Sequence, residues 1–248
     1  MGSLVVAGAV LAGACADDND DNGPVVPGGL DGSIDGAVPD AGPHMDATPG
    51  PADAGQRLGF FVTSTKSTTA NLGGLTAADT QCQTLAGAVG AGSRTWRAFL
   101  SVERDVAKGG APTSAFERIG RGPWYNAKGA LVAADVSGLF AITGNADLFL
   151  DERGTKINGQ WIGSPVPNEH DILTGTLLDG GVALGRTCGD WVSASDAGVA
   201  VIGHSDGLGP NQDATPPRNS WYSAHDNASC GDTAPRGGAG RFYCVAAD

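Results

Sequence analysis

The chain is short of the residues that fill large cores and of those that grip polyanions. Only 6% of its 248 residues are aromatic, and 15 Lys and Arg stand against 27 Asp and Glu, a formal charge of −12. A nucleic-acid surface needs a field of Lys and Arg, so nucleic acid is not an expected partner. No apolar run of 18 residues occurs beyond the extreme N-terminus, which excludes a multi-span membrane protein. Cysteine appears five times but never as Cys-x-x-Cys, so neither a zinc ribbon nor a thioredoxin-type site has support. Glycine, by contrast, is abundant at 40 residues.

The acidity is local. Residues 1–57 carry nine Asp and one base, Arg57, for a net −8, whereas residues 58–248 carry 18 acids and 14 bases, for a net −4. The segment 16–57 is nearly all Asp, Asn, Gly, Pro and Ala without an aromatic side chain. Such a stretch buries too little apolar area to offset the entropy of ordering, so it reads as a disordered, extended acidic linker. Ahead of it, residues 1–15 hold a short apolar run ending in small residues, the h-region and cleavage site of an export signal. The ending Leu11-Ala12-Gly13-Ala14-Cys15 resembles a bacterial lipoprotein signal. That resemblance implies lipidation of Cys15 and contact with a membrane through an N-terminal lipid only. Its leucine stands one place further upstream than usual, and no Lys or Arg precedes the apolar run.

Residues 58–248 then form the folded domain. Cys82, Cys188, Cys230 and Cys244 remain there, and in an exported chain they imply two disulfides with three open connectivities. The nested pattern, Cys82–Cys244 outside Cys188–Cys230, would join the start and end of the domain. By chain entropy the two closures would contribute roughly 5 and 4 kcal/mol.

Leu58–Thr65 is rich in β formers and reads as a first strand. Thr76-Ala77-Ala78-Asp79 has the spacing of a capping box, and Ala78, Cys82, Leu85 and Val89 share one helical face that Gly90 stops. Thr95–Ser101 alternates as a strand, Pro123–Ala127 and Ala130–Ala134 flank Lys128-Gly129 as a hairpin, and Asp135 caps a short helix to Ala141. Further strands are expected at Ile172–Leu177, Gly198–Gly203 and Arg241–Ala246. The fold class is α+β, with a small antiparallel sheet, one major helix and long C-terminal loops.

A strand, a helix carrying Cys82, the strand 95–101, the segments Leu173–Thr176 and Arg186–Trp191, and the ending Gly240–Val245 together resemble a C-type-lectin-like or endostatin-like domain. The resemblance covers residues 58–248 and is nearest to domains of bacterial secreted lipoproteins. It implies the nested disulfide pairing and a non-enzymatic, ligand-binding module. Sugar-binding members hold calcium through triplets that are incomplete here: Val166-Pro167-Asn168 lacks the oxygen before proline. Asn168, Glu169 and Asp171 would still offer oxygens to a hard cation such as calcium. Trp161 and Trp221, flanked by polar residues, are expected as exposed platforms for a glycan.

Two other constellations stand in the residues themselves. Gly203-His204-Ser205-Asp206-Gly207 has the form of a nucleophile elbow, with His225 and Asp213 following in the order a secreted serine hydrolase requires. Residues 208–217 cannot form the helix such an elbow enters, so Ser205 reads as part of a turn. His170, His204 and His225 lack the helical spacing of zinc ligands and spread over 55 residues, which favours roles as loop or core partners. The expectation is a lipid-anchored domain at a bacterial outer membrane or cell surface, binding a glycan or an extracellular protein. A structural envelope protein without a small ligand is the remaining alternative.

Overall fold

The computed structural model describes residues 57–248. The expected signal segment with Cys15, and the linker up to Gln56, lie outside the described residues.

The described chain is α+β, with a small and mainly antiparallel sheet, few helices and two disulfides. Its strands are β1 (Phe60–Val62), β2 (Trp96–Ala98), β3 (Val102–Asp105), β4 (Ala111–Thr113), β5 (Trp124–Tyr125), β6 (Leu131–Ala133), β7 (Asp171–Leu173), β8 (Val201–His204), β9 (His225–Asp226) and β10 (Gly238–Ala246). Two helices matter here, α1 (Leu75–Ala88) and α2 (Val136–Ala141). The principal sheet runs β1-β10-β7-β8-β9, with β2 also paired to β10. Every pairing in it is antiparallel except β10 with β7.

Most strands are shorter than their β-prone sequence suggests, β1 and β2 spanning three residues each, whereas β10 is longer and reaches back to Gly238. Strands β3, β4 and β9 leave no local pattern that marks them. Val102-Glu103-Arg104-Asp105 exposes its charged centre, and His225-Asp226 is two residues long. Helix α1 begins one residue before Thr76. Its cap position is Gly74, in the left-handed region at φ 86°, with no side-chain cap. Thr76 therefore sits inside the first turn, and its carbonyl accepts from the Thr80 hydroxyl. Asp135 does cap α2, accepting from the Gly138 N–H at 2.7 Å.

Helix α1 is fixed by two devices. Buried Asp79 accepts from Arg118 at 2.7 Å, from Arg97 at 3.0 Å and from the Ala98 backbone N–H at 2.8 Å, which locks the helix onto β2. One turn later Cys82 bonds Cys244 of β10, with Cα atoms 5.4 Å apart. Cys188–Cys230 is the second bridge, at 5.6 Å, so the pairing is the nested one. Phe60, Phe99, Phe149, Trp221 and Tyr243 are almost wholly buried and pack edge-on, tilted or stacked. Each ring removed from water contributes roughly 1.5–3 kcal/mol, which is how a chain with so few aromatics holds a core.

Candidate metal centre

Strand register assembles the site. Asp171 stands opposite His204 across β7 and β8, and His225 of β9 stands opposite Ile202 of β8. Because side chains alternate with period two, residues 171, 204 and 225 fall on one face of the sheet. His170 precedes β7, and its ring stacks on that of His204 with centroids 4.4 Å apart. Gly203, between the two apolar neighbours and His204, is required by packing: a Cβ there would lie 1.9 Å from the Trp221 carbonyl oxygen.

Hydrogen bonding then fixes where the ring lone pairs point. His170 Nδ1 is 2.7 Å from Asp206 Oδ1, His204 Nδ1 is 2.7 Å from the Arg218 carbonyl, and His225 Nδ1 is 2.8 Å from the Asp226 carbonyl. Carboxylate and carbonyl oxygens only accept, so each Nδ1 carries a hydrogen and donates it. In a neutral imidazole, Nε2 is then a bare acceptor. All three Nε2 atoms converge on Asp171. His170 Nε2 lies 3.2 Å from Oδ1, His204 Nε2 lies 3.5 Å from Oδ1, and His225 Nε2 lies 3.8 Å from Oδ2. His204 and His225 bring their Nε2 atoms within 2.9 Å of each other.

Asp171 is buried with both carboxylate oxygens lacking any donor. Burial pushes its carboxyl up to about 7, with the charge of Asp206 adding to the effect and those of His170 and Arg236 opposing it. Burial, then the neighbouring imidazoles, hold His204 down to about 3. His225 is lowered too, again chiefly by burial. Burial alone would raise Asp206, but its bond from His170 and backbone N–H donors Gln160 and Leu208 outweigh that and hold it low. The site therefore sets imidazole Nε2 atoms against carboxylate oxygens that have no donor, with burial holding His204 and His225 low. A buried carboxylate without a donor is costly, and a cation among these atoms turns each repulsion into attraction. Ligands about 2.05 Å from a tetrahedral metal lie about 3.3 Å from one another; the ligand atoms of His170, Asp171 and His204 all lie within 4.8 Å of one another, and His225 stands at the edge of that group, nearest His204.

The remaining expected site residues lie elsewhere or are otherwise occupied. The oxygens of residues 168, 169 and 171 serve three different sets of partners: Asn168 Oδ1 accepts from the His170 N–H, Glu169 closes on Lys66 and Arg241, and Asp171 faces the imidazoles. Trp221 corrects the expectation of an exposed platform. It is fully buried, stacked on Phe149, with its N–H on the Leu139 carbonyl at 3.0 Å. It lies inside because the core has few other large rings. Trp161 is half-buried with Lys156 Nζ 5.1 Å above its ring. Ser205 is buried after a strand with antiparallel neighbours, and none of the nitrogens of residues 170, 204 and 225 hydrogen-bonds to it.

Sequence reasoning set aside the very histidines that the fold gathers. The signal that finds them is the pairing of the two expected strands 172–177 and 198–203. His170-Asp171 leads into one and His204 leaves the other, so antiparallel pairing brings them together. The segment resembling a nucleophile elbow is the one that carries His204 and Asp206. Among the described residues no helix is long and apolar enough to cross a membrane, and the two disulfides belong to an oxidising environment outside the cytosol. No protein-family model matches the chain, and no curated protein matches it in sequence.

Proposed function

We propose that this is an exported, disulfide-clasped binding module that holds a divalent transition metal, zinc in the first instance, through His170 Nε2, Asp171, His204 Nε2 and His225 Nε2. The observation that carries the reading is Asp171: a buried carboxylate with no hydrogen-bond donor, encircled by three imidazole nitrogens whose hydrogens all point away from it. Three imidazoles and one carboxylate suit zinc and its neighbours. Calcium prefers six to eight oxygens, which this face does not offer. Asp206 behind His170 fits the usual outer carboxylate that orients a ligating histidine.

The metal sits in a domain of C-type-lectin-like type. The nested disulfides and the antiparallel pairing of the first and last strands support that assignment. Lipidated at Cys15, with residues 16–57 as spacer, it would stand off a bacterial surface as a ligand-binding module without catalysis of its own.

Metal analysis and calorimetry test the central claim. One equivalent of Zn²⁺ is expected per chain, and free Zn²⁺ at a hundredfold over its Kd stabilises the fold by about 2.7 kcal/mol. His204→Ala and Asp171→Asn are expected to lose the ion. A chain that takes up no Zn²⁺, Co²⁺ or Ni²⁺, or one whose uptake survives both changes, overturns the reading.

A further inference from the structure

Three of the four donors are sealed from solvent. The side chains of His170, Asp171 and His204 are 4%, 1% and 2% exposed. His225 differs: its ring is 34% exposed, and it stands in the wall of a cleft of about 500 Å³ lined by Pro210, Pro217, Arg218, Ala224, His225 and Arg236. A second cleft, about 430 Å³, shares Pro217, Ala224 and His225 with the first. The metal centre is thus buried on three sides and approached from one.

The chemistry of that approach is specific. Two guanidinium groups line the first cleft and no acid does. Arg236 is braced by one bond, Nη1 to the Asp226 carbonyl at 3.0 Å, beside the same residue whose oxygen takes the His225 hydrogen. Arg218 is braced by Asp213 at 3.2 Å, and its own carbonyl orients His204. A guanidinium has five N–H donors, so one brace leaves most of the fork for another acceptor. Pro210, Pro217 and Ala224 supply an apolar wall. A divalent ion held by three imidazoles and one carboxylate keeps a charge of +1 at its ligands, with the Asp206 carboxylate behind His170 on the sealed side; on the open side Arg236 adds positive charge, while Arg218 is paired with Asp213. Zinc sometimes expands to five ligands, and the His225 side is the one from which a further ligand can enter.

We propose that the His225 edge of the centre is its ligand-entry face, and that it takes a small carboxylate with an apolar body, one oxygen on the metal and the other on the Arg236 guanidinium. The inference rests on the metal reading above. It assigns the cleft a ligand class: the arginines and the ion select the carboxylate, and the two prolines and Ala224 select the apolar body. His225 and Arg236 reach the ligand, and the sealed donors do not.

Cobalt substitution separates this claim from the one beneath it. The full chain loaded with Co²⁺ is titrated with benzoate and, in a second arm, with inorganic phosphate, while the visible d–d bands are followed. Benzoate is expected to shift the bands saturably. Arg236→Ala should weaken that shift roughly tenfold or more while leaving the bands of the ligand-free cobalt protein unchanged. Bands that neither anion moves overturn the entry face with the metal site intact. A response to phosphate alone overturns the carboxylate assignment, and an equal benzoate response in the Arg236→Ala protein overturns the role of the guanidinium. Absence of cobalt bands altogether overturns the metal reading, and this inference with it.

Discussion

Asp206 touches no donor atom of the proposed centre, yet it decides where one of them points. Its Oδ1 takes the His170 hydrogen, while its carboxylate also accepts from the backbone N–H groups of Gln160 at 2.6 Å and Leu208 at 3.1 Å. Asp206→Asn frees the ring to adopt the other tautomer, and Zn²⁺ affinity should fall by about 10- to 100-fold with the domain still folded; calorimetry reads the first and circular dichroism the second. A second residue-level test concerns Glu169, which is buried against Arg241 at 2.7 Å and takes a bond from the half-exposed Lys66. Burial would raise its carboxyl, but hydrogen bonds from Lys66 and Arg241 outweigh it and hold the group below its ordinary 4.5. A depressed carboxyl stabilises the fold in full above its ordinary value, and that share is lost as pH falls through the folded value. Glu169→Gln should therefore cost about 3 kcal/mol at neutral pH, by leaving Arg241 unpaired, and should flatten the acid limb of stability against pH in urea titrations.

At the scale of elements, β8 is held by glycine. A Cβ on residue 203 would strike the backbone of Trp221 at 1.9 Å and of Tyr222 at 2.3 Å, and backbone cannot swing aside as a flexible side chain does. Gly203→Ala should destabilise by about 3 kcal/mol or more, with metal affinity falling alongside because His204 follows it; a normal urea midpoint would contradict the close approach. This shows what was legible in the sequence. Phe60–Val62, Cys82 on a helix and Tyr243–Val245 could be read because local pattern and burial agree there. The face shared by residues 171, 204 and 225 could not, since it is created by register between strands far apart in the chain, and periodicity within each strand carries no register. Trp221 misled for a related reason. Its polar neighbour Ser220 is itself buried and accepts from the Tyr222 and Ser223 backbone N–H groups, so local polarity did not mean exposure.

For the whole molecule the nested bridges set the scale of stability. Replacing Cys82 and Cys244 together by Ala should cost about 5 kcal/mol, and the same for Cys188 and Cys230 about 4 kcal/mol, from the entropy returned to the unfolded chain. Thermal melting of the oxidised protein against each double variant ranks them, and an inverted order would mean that strain outweighs loop length. Strand β10 adds a constraint of another kind. It pairs with β1, β2 and β7 and carries Cys244, so neither the aromatic core nor the outer clasp can close before residues 238–246 have emerged. Until those residues arrive the described domain stays open from residue 57 onward, a condition suited to crossing a membrane as an unfolded thread before an oxidant forms the bridges.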